Sequence, residues 1–341
     1  MMFYIRADAN SMIGSGHVMR CLSIAHALLS RGVDTTFITA DRNSEELISR
    51  NGFSIICLDS DWNDLEEELQ KLEEIILINR IDQMLIDSYY VTERYLEHLG
   101  KMIKIVYIDD INKFIYPVDI LINYNIYADR LINKEEYDHN RVKLLLGCEY
   151  TPLREEFRGK RTIIKEKVSN ILITTGGADT YNAAGNLLQF LYSTDQYSEI
   201  NFHVVIGCFH QHKEKLEILA ANFHNIILHY QVTEMSKLMV ECDIAISAGG
   251  STLYELCACA IPTISFSYAD NQLDSVREFH KREIIYYAGD IRADKDTCIN
   301  HIVQRLHQLM TSAALRKNVS VRMSALVDGL GTTRIINEII V

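Results

Sequence analysis

The sequence predicts an α/β protein built from two successive Rossmann-like domains, each with a parallel sheet covered by helices. Short apolar runs alternate with helical segments along the chain, which is typical of parallel strands joined by helical crossovers. A single polar and charged stretch interrupts this alternation near the middle of the chain. The 341 residues, of which 48% are hydrophobic, suffice for two hydrophobic cores of ordinary size.

Six strands and four helices are predicted in the first domain. The strand candidates are the runs MMFYIRA, TTFITA, FSIICL, MLIDSYY, IKIVYID and DILINYN. The helical segments between them span residues 18–30, 44–50, 62–77 and 92–99. We interpret the acidic stretch WNDLEEELQKLEE as a solvent-exposed helix face without a function of its own.

A linker is predicted near residues 148–168, where the alternation breaks into polar, charged and Pro/Gly-containing sequence. Six further strand candidates follow it, namely NILITTGG, NFHVVIG, NIILHYQ, CDIAISAGG, PTISFS and EIIYYAG. The predicted domains are therefore residues 1–150 and 165–341, with the alternative that the last helix packs back on the first domain. Because such sheets bind ligands beyond the carboxyl ends of their strands, we expect the domains to face each other across a ligand-binding cleft.

Composition excludes several classes of partner. The net charge of −12 disfavours binding to nucleic acid or to an anionic membrane, since both require clustered Lys and Arg. The first residues lack a signal peptide, and no apolar run is long enough to span a membrane, so no stable membrane association is expected. The eight cysteines and twelve histidines form no C-x-x-C or H-E-x-x-H pattern, which favours a cytoplasmic protein with reduced cysteines, no metal and no cofactor. No oligomeric state is predicted.

The first strand is followed by a loop that contains Gly14, Gly16 and His17. The glycines permit tight turns and positive φ, and the N-terminus of the following helix offers unpaired N–H groups to an anion. A plain turn between strand and helix explains the glycines equally well. His17 favours a functional loop, because an imidazole beside a ligand exchanges protons near neutral pH.

Glycine-containing turns in the second domain are the candidates for phosphate binding. One turn contains Gly176 and Gly177, and the other combines glycines with hydroxyl groups before a helix, at Gly249, Gly250, Ser251 and Thr252. Glu255 lies one turn into that helix, where it either accepts hydrogen bonds from a ribose or simply stabilises the helix dipole. The chain lacks a Walker P-loop and a dinucleotide fingerprint, which disfavours an NTPase or a nicotinamide dehydrogenase.

Two polar segments at strand ends are weaker candidates. The segment SYADNQ contains Asn271, and the segment DSYY contains Tyr89 and Tyr90. Polar side chains at these positions would reach the middle of a ligand site. The alternative for DSYY is a half-buried aromatic strand end.

Four segments read together resemble a known enzyme family. They are RADAN…IGSGHVMRC, GCEYTPLREEF, ISAGGSTLYELCACAIPTI and ADNQ, and they cover both domains. In this order and spacing they closely resemble the UDP-2,4-diacetamido-2,4,6-trideoxy-β-L-altropyranose hydrolases of pseudaminic acid biosynthesis. More distantly, AGGSTLYE is similar to the UDP-binding signature of the bacterial transferase that adds N-acetylglucosamine during peptidoglycan synthesis. Both families have the GT-B architecture.

The resemblance implies that the chain cleaves the bond between the anomeric carbon of a UDP-sugar and UDP, without a metal or a cofactor. It matches His17 to the active-site histidine of the family and Tyr89 and Asn271 to residues that line the sugar site. It also matches the segment from Gly249 to Thr252 to the nucleotide-binding segment, with Glu255 as the ribose ligand.

The expected mechanism uses His17 as a general base on a water molecule that attacks C1 with inversion, while backbone N–H groups hold the diphosphate. Either Asp8 or Asp87 is expected to orient the imidazole. Two alternatives remain at this point. One is a GT-B glycosyltransferase, which replaces water by an acceptor hydroxyl, and the other is a sugar-nucleotide binding protein of a polysaccharide or spore-coat pathway.

Overall fold

The computed structural model describes residues 2–10, 12–193, 195–207 and 210–340. The chain divides into two compact units. The N-terminal unit consists of Met1–Glu155 together with Leu330–Val341, and the C-terminal unit consists of Glu156–Gly329. Each unit contains one sheet in which all strand pairs are parallel, so the predicted α/β class with two Rossmann-like sheets is confirmed.

The N-terminal unit alternates strands and helices along the chain. Its elements are β1 (Met2–Ala7), α1 (Gly16–Ser30), β2 (Asp34–Thr39), α2 (Glu45–Arg50), β3 (Ser54–Cys57), α3 (Leu69–Asn79), β4 (Gln83–Asp87), α4 (Glu93–Leu99), β5 (Lys104–Ile108), β6 (Ile120–Asn123), α5 (Ala128–Leu131) and β7 (Lys143–Leu146). The strand order is β3-β2-β1-β4-β5-β6-β7. The order reverses between β1 and β4, which places the carboxyl ends of these two strands at the usual ligand position of such a sheet.

Three sequence-based assignments in this unit need correction. The sheet has seven strands instead of the six predicted. The additional strand, β7, lies at the end of the predicted first domain, in a segment that was not predicted to be a strand. Helix α3 begins at Leu69 instead of residue 62, since the carboxylates of Asp61 and Asp64 accept hydrogen bonds from nearby backbone N–H groups and hold the preceding segment in turns. Glu68, which lies in the stretch predicted to be solvent-exposed, is fully buried.

The C-terminal unit repeats the alternation. Its elements are β8 (Asn170–Thr174), α6 (Ala183–Tyr192), β9 (Asn201–Ile206), α7 (Lys213–Asn222), β10 (Ile226–Tyr230), α8 (Met235–Glu241), β11 (Ile244–Ala248), α9 (Thr252–Ala258), β12 (Thr263–Ser267), α10 (Asp270–Lys281), β13 (Tyr286–Asp290), α11 (Lys295–Thr311) and α12 (Ala313–Leu326). The strand order is β10-β9-β8-β11-β12-β13. Here the order reverses between β8 and β11, and all six predicted strands are present.

The central strands are buried on both faces, as parallel strands covered by helices must be. All five residues of β11 and all five of β12 are buried, and so are residues 3–7 of β1. Each unit therefore has its own apolar core. The last helix, α13 (Gly331–Ile339), belongs to the N-terminal unit and packs against α1.

No helix in the described part of the chain is both long and apolar enough to cross a membrane. Of the seven cysteines within the described ranges, all but Cys57 are buried. The eighth, Cys208, lies outside these ranges.

Candidate functional site

Polar side chains from the ends of four neighbouring strands meet at the carboxyl edge of the N-terminal sheet. His17 lies in the first turn of α1, which follows β1, and Asp87 is the last residue of β4. Asp110 follows β5, and Tyr124 directly follows β6. Because β1 pairs with β4, His17 and Asp87 are neighbours in space although they are 70 residues apart in the chain. The topology of the sheet therefore assembles this cluster.

His17 and Asp87 form a buried pair. The distance from His17 Nδ1 to Asp87 Oδ1 is 2.6 Å, and the exposed fractions of the two side chains are 5% and 0%. An ionised carboxylate only accepts hydrogen bonds, so Nδ1 must carry a proton and donate it to Asp87. In the neutral imidazole this leaves Nε2 with its lone pair, which is the form required of a general base.

Arg20, one turn after His17 on α1, connects this pair to the other strand ends. Its Nε and Nη2 donate to the two carboxylate oxygens of Asp87 over 2.6 and 2.5 Å. Its Nη1 donates to Asp110 Oδ2 over 2.7 Å and to the Tyr124 hydroxyl over 2.8 Å. The guanidinium is thus fixed in a planar bidentate contact with one carboxylate while a second carboxylate holds its other end.

The charges of this cluster stabilise one another. Burial alone would raise the pKa of Asp87, but the positive charge of Arg20 and the contact with His17 outweigh this and lower the pKa below its ordinary value. Burial alone would lower the pKa of Arg20, but Asp110 and Asp87 raise it well above its ordinary value. Burial and the charge of Asp110 raise the pKa of Tyr89. Asp87 and Arg20 are therefore ionised and Tyr89 is a neutral phenol across the physiological pH range.

The structure distinguishes the two candidate partners of His17. Asp8 accepts from Arg6 Nη1 over 2.5 Å and from the backbone N–H of Ala40 over 2.7 Å. Arg6 also makes a bidentate contact with Glu68, so Asp8 belongs to a buried group that supports the interior of the unit. Asp87, and not Asp8, contacts the imidazole.

Tyr89 and its neighbour Tyr90 have different surroundings. The Tyr89 ring packs edge-on against His17 with centroids 4.4 Å apart, and its hydroxyl donates to Asp110 over 3.2 Å. The Tyr90 ring instead packs against Trp62 at 5.2 Å. Of the two tyrosines, Tyr89 is the one beside the imidazole.

The two glycines of the first loop differ in what they require. Gly14 has a φ of +72°, and its N–H donates to the Asn10 carbonyl over 2.9 Å, so it closes a tight turn. Gly16 is the first residue of α1 and lies one residue before His17. A Cβ at Gly16 would meet no heavy atom within 4 Å, so the packing of the unit does not demand a glycine there. Only Gly14 of the pair uses the positive φ that the sequence suggested for this loop.

In the C-terminal unit, the two glycine-containing turns follow the adjacent strands β8 and β11, and the segment with Asn271 follows β12. Gly176 has a φ of +79°, and a Cβ there would lie 2.9 Å from the Tyr268 hydroxyl of the turn after β12. A Cβ at Gly177 would meet no heavy atom within 4 Å. The three predicted turns therefore lie along one edge of this sheet, at the point where the strand order reverses.

Gly249 and Gly250 have unlike environments. A Cβ at Gly249 would approach Val276 Cγ1 to 2.3 Å, so a glycine is needed for α10 to pack against this turn. A Cβ at Gly250 would meet nothing within 4 Å. Ser251 precedes α9, its side chain is exposed, and it makes no capping hydrogen bond. In the first turn of α9, which begins at Thr252, the Leu253 N–H donates to the Gly250 carbonyl over 3.1 Å and the Tyr254 N–H donates to the Ser251 carbonyl over 3.0 Å.

The remaining predicted residues also lie in these segments. Glu255 is half-buried in α9, and Asn271 is exposed in the first turn of α10. The structure thus separates the predicted site residues into two groups. Gly14, Gly16, His17 and Tyr89 belong to the N-terminal unit, and the other predicted residues belong to the C-terminal unit. Within the described ranges, no group of three or more His, Cys, Asp or Glu side chains is placed to hold a metal ion.

Sequence reasoning missed three members of the cluster around His17, namely Arg20, Asp110 and Tyr124. The spacing of three residues between His17 and Arg20 places both on one face of α1, which is a usable local signal. Asp110 and Tyr124 follow apolar strands, as Asp87 ends one, but nothing local shows that these strand ends are neighbours.

Fold and site together define a class of protein: an α/β chain with a GT-B glycosyltransferase-like fold that carries a buried His–Asp pair in its N-terminal unit. Solved structures support the fold. MurG of Acinetobacter baumannii has a TM-score of 0.69 at 13% identity, covering 99% of this chain and 98% of its own. A spinosyn rhamnosyltransferase complexed with thymidine diphosphate has a TM-score of 0.66 at 13% identity, covering 98% and 99%. The UDP-GlcNAc 2-epimerase of Neisseria meningitidis, bound to UDP-GlcNAc, has a TM-score of 0.68 at 12% identity over 100% of both chains.

The chain belongs to the protein family described as "Protein of unknown function (DUF354)", which matches residues 149–328, more than half of its length. Three relatives are each 26% identical to it. An uncharacterized protein of Methanocaldococcus jannaschii aligns over 83% of this chain, and the aligned region covers 59% of that relative's length. The spore coat polysaccharide biosynthesis protein SpsG of Bacillus subtilis aligns over 97% of this chain and 95% of its own. The UDP-2,4-diacetamido-2,4,6-trideoxy-β-L-altropyranose hydrolase of Campylobacter jejuni aligns over 80% of this chain and 93% of its own.

Proposed function

We propose that the protein is a UDP-sugar hydrolase that cleaves the bond between the anomeric carbon and UDP. The observation that carries this proposal is the buried pair of His17 and Asp87, which leaves Nε2 as the basic atom of the imidazole. The name of the Campylobacter jejuni relative supports the reaction class, and the segments that resemble that family include the loop with His17. We further propose UDP-2,4-diacetamido-2,4,6-trideoxy-β-L-altropyranose as the substrate, in a cytoplasmic step of pseudaminic acid biosynthesis.

In the proposed reaction, His17 Nε2 takes a proton from a water molecule as the water oxygen bonds to C1 of the sugar. The bond from C1 to the UDP oxygen breaks, and UDP departs with the bonding electron pair. Attack opposite to the leaving group inverts the configuration at C1. Asp87 keeps the imidazole in the productive tautomer and stabilises the imidazolium that forms, since the carboxylate remains ionised throughout.

The residues of the C-terminal unit take the nucleotide in this proposal. Backbone N–H groups of the turns at Gly176, Gly177 and 249–252 hold the diphosphate and stabilise the negative charge of the leaving group. Glu255 accepts hydrogen bonds from the ribose. We assign Asn271 to sugar binding, and in the N-terminal unit we assign Tyr89, Gly14 and Gly16 to substrate binding. Because UDP is a good leaving group, no metal ion is required.

The decisive experiment is UDP release from purified protein with a panel of UDP-diacetamido sugars and no acceptor. Hydrolysis predicts stoichiometric free sugar and UDP, whereas a glycosyltransferase releases UDP only when an acceptor hydroxyl is added. A sugar-nucleotide binding protein would bind UDP and turn over none of the panel. In ¹⁸O-water the label should enter the anomeric hydroxyl, and label in the UDP phosphate would show attack at phosphorus instead.

His17→Asn tests the role of the imidazole. We expect kcat to fall by roughly a hundred- to ten-thousandfold, the usual contribution of a general base, while UDP still binds. His26→Asn is a matched control, because this histidine lies on the same helix, is exposed and hydrogen-bonds to Asn51. Turnover near that of the unaltered protein in folded His17→Asn would contradict the mechanism. We also expect EDTA to leave the rate unchanged, and activity lost to EDTA and restored by Mg²⁺ would contradict the metal-independent reaction.

A further inference from the structure

We propose that Arg20 is a positioning residue for His17: it holds Asp87 and Asp110 together and offsets the charge of Asp87 beside the imidazole, so that Nε2 stays available as a base. This inference rests on the proposed function for its catalytic meaning. Its physical content, the influence of one guanidinium on the protonation of one imidazole, can be measured without turnover.

The geometry of Arg20 leaves the guanidinium little freedom. Two of its nitrogens contact Asp87 at the end of β4, and the third contacts Asp110 after β5 and Tyr124 after β6. Asp110 is itself held from its other side by the amide of Asn125, over 3.2 Å. Four hydrogen bonds to groups at the carboxyl ends of three strands therefore fix one side chain, of which only 11% is exposed. A lysine, with a single nitrogen, cannot make the same set of contacts.

Arg20 opposes the effect of Asp87 on the imidazole. A buried carboxylate 2.6 Å from Nδ1 favours a positively charged imidazolium. An imidazole that stays protonated cannot accept a proton from water. Arg20 Nη2 lies 3.1 Å from the same Nδ1. Because Nδ1 and Nη2 both carry protons, the two nitrogens do not bond to each other but share Asp87 Oδ1 as their acceptor. The guanidinium charge thus offsets the carboxylate and disfavours a second positive charge beside it.

Two further titratable groups beside the His17–Asp87 pair, Tyr89 and Cys21, carry no charge. The Tyr89 ring covers one side, and burial together with nearby carboxylates raises its pKa. The Cys21 thiol lies 3.5 Å from Asp87 Oδ2, and burial and the charge of Asp87 raise its pKa well above the ordinary value. Asp87 and Arg20 are therefore the charged groups that lie against Nδ1 in the part of the chain that the structure describes, and Asp110 is held on the far side of the guanidinium.

The test compares Arg20→Met, which removes the charge, with Arg20→Lys, which keeps it. In the full-length protein, ¹⁵N NMR of the histidine rings is followed against pH, and the His17 signal is identified by its loss in His17→Asn. The pH profile of kcat/KM for acceptor-free UDP release is recorded in parallel. For Arg20→Met we expect the His17 titration midpoint and the acidic limb of the profile to move upward together, on the order of one pH unit. In Arg20→Lys we expect both to return close to the values of the unaltered protein.

Arg31→Met is the matched control, because Arg31 directly follows the same helix and its guanidinium donates to the distant Asn337, and it should leave the midpoint unchanged. If Arg20→Met does not fold, Arg20→Gln removes the charge but retains an N–H that can donate to Asp87. An unchanged midpoint in the folded charge-removing variant overturns the inference. A shifted midpoint in a protein that turns over no UDP-sugar upholds the role of Arg20 and refutes the proposed function instead.

Discussion

Replacing Asp87 by asparagine changes a single atom at the centre of the N-terminal cluster. The two carboxylate oxygens accept three short N–H bonds, from His17 Nδ1 and from Arg20 Nε and Nη2, over 2.5 to 2.6 Å. An amide offers one oxygen and one NH₂ group. Whichever way it is oriented, its NH₂ group faces an N–H donor, so at least one of the three bonds is lost and one buried donor is left unpaired.

The expected loss has a catalytic and a structural part. If the NH₂ group faces His17, the ring changes to the tautomer that protonates Nε2, and kcat falls by roughly a hundred- to ten-thousandfold. Breaking a buried ion pair typically costs about 3–5 kcal/mol in the free energy of unfolding. Because Arg20 keeps Asp110 and Tyr124, we expect the lower end of this range, about 3 kcal/mol.

The pH dependence of unfolding checks the same reasoning. The pKa of Asp87 is lowered in the folded protein, so its contribution to stability is complete above the ordinary carboxyl pKa of 3.8 and is lost as the pH falls further. The difference in unfolding free energy between the unaltered protein and Asp87→Asn, measured with urea, should therefore narrow below about pH 4.

Asp8→Asn is the matched control for this prediction. Asp8 is also buried and also contacts an arginine, but it does not touch His17. We expect Asp8→Asn to lower stability and to leave kcat within a few-fold of its original value. If folded Asp87→Asn keeps most of its turnover while Asp8→Asn loses it, the assignment of the imidazole partner is wrong.

Two further predictions concern glycines. Gly249→Ala should lower the free energy of unfolding by about 1–3 kcal/mol and weaken UDP binding measured by calorimetry, because its Cβ would clash with buried Val276. Gly250→Ala should change the free energy of unfolding by less than about 0.5 kcal/mol. Equal stability of the two variants would contradict this packing. Gly331→Ala should destabilise the N-terminal unit by about 3 kcal/mol in urea unfolding, since its Cβ would approach the Thr151 carbonyl oxygen to 2.2 Å. Thr333→Ala on the same helix should have little effect. Similar urea midpoints for the two variants would refute the close docking of α13.

The strands could largely be predicted because each is a local apolar run bounded by turn residues. Twelve strands coincide with the predicted runs, and β7 was missed for a physical reason. Its four residues merge into a polar segment, and only pairing with β6, a long-range interaction, makes them a strand. The start of α3 was misplaced because acidic residues that suit a helix also form local hydrogen-bonded turns, and the burial of Glu68 depends on Arg6, which is 62 residues away in the chain.

The sequence by itself determined the alternation of strands and helices, the α/β class and the loop that carries His17, since all of these depend on local patterns of apolar residues, glycine and polar strand ends. Only the tertiary structure decided which aspartate contacts the imidazole. Asp8 and Asp87 both lie at strand ends, but Asp8 is held by Arg6 and Ala40, whereas Asp87 meets His17 and Arg20 where β4 joins β1. Strand order is set by packing over the whole sheet, and for that reason no local reading of the chain could place these side chains together.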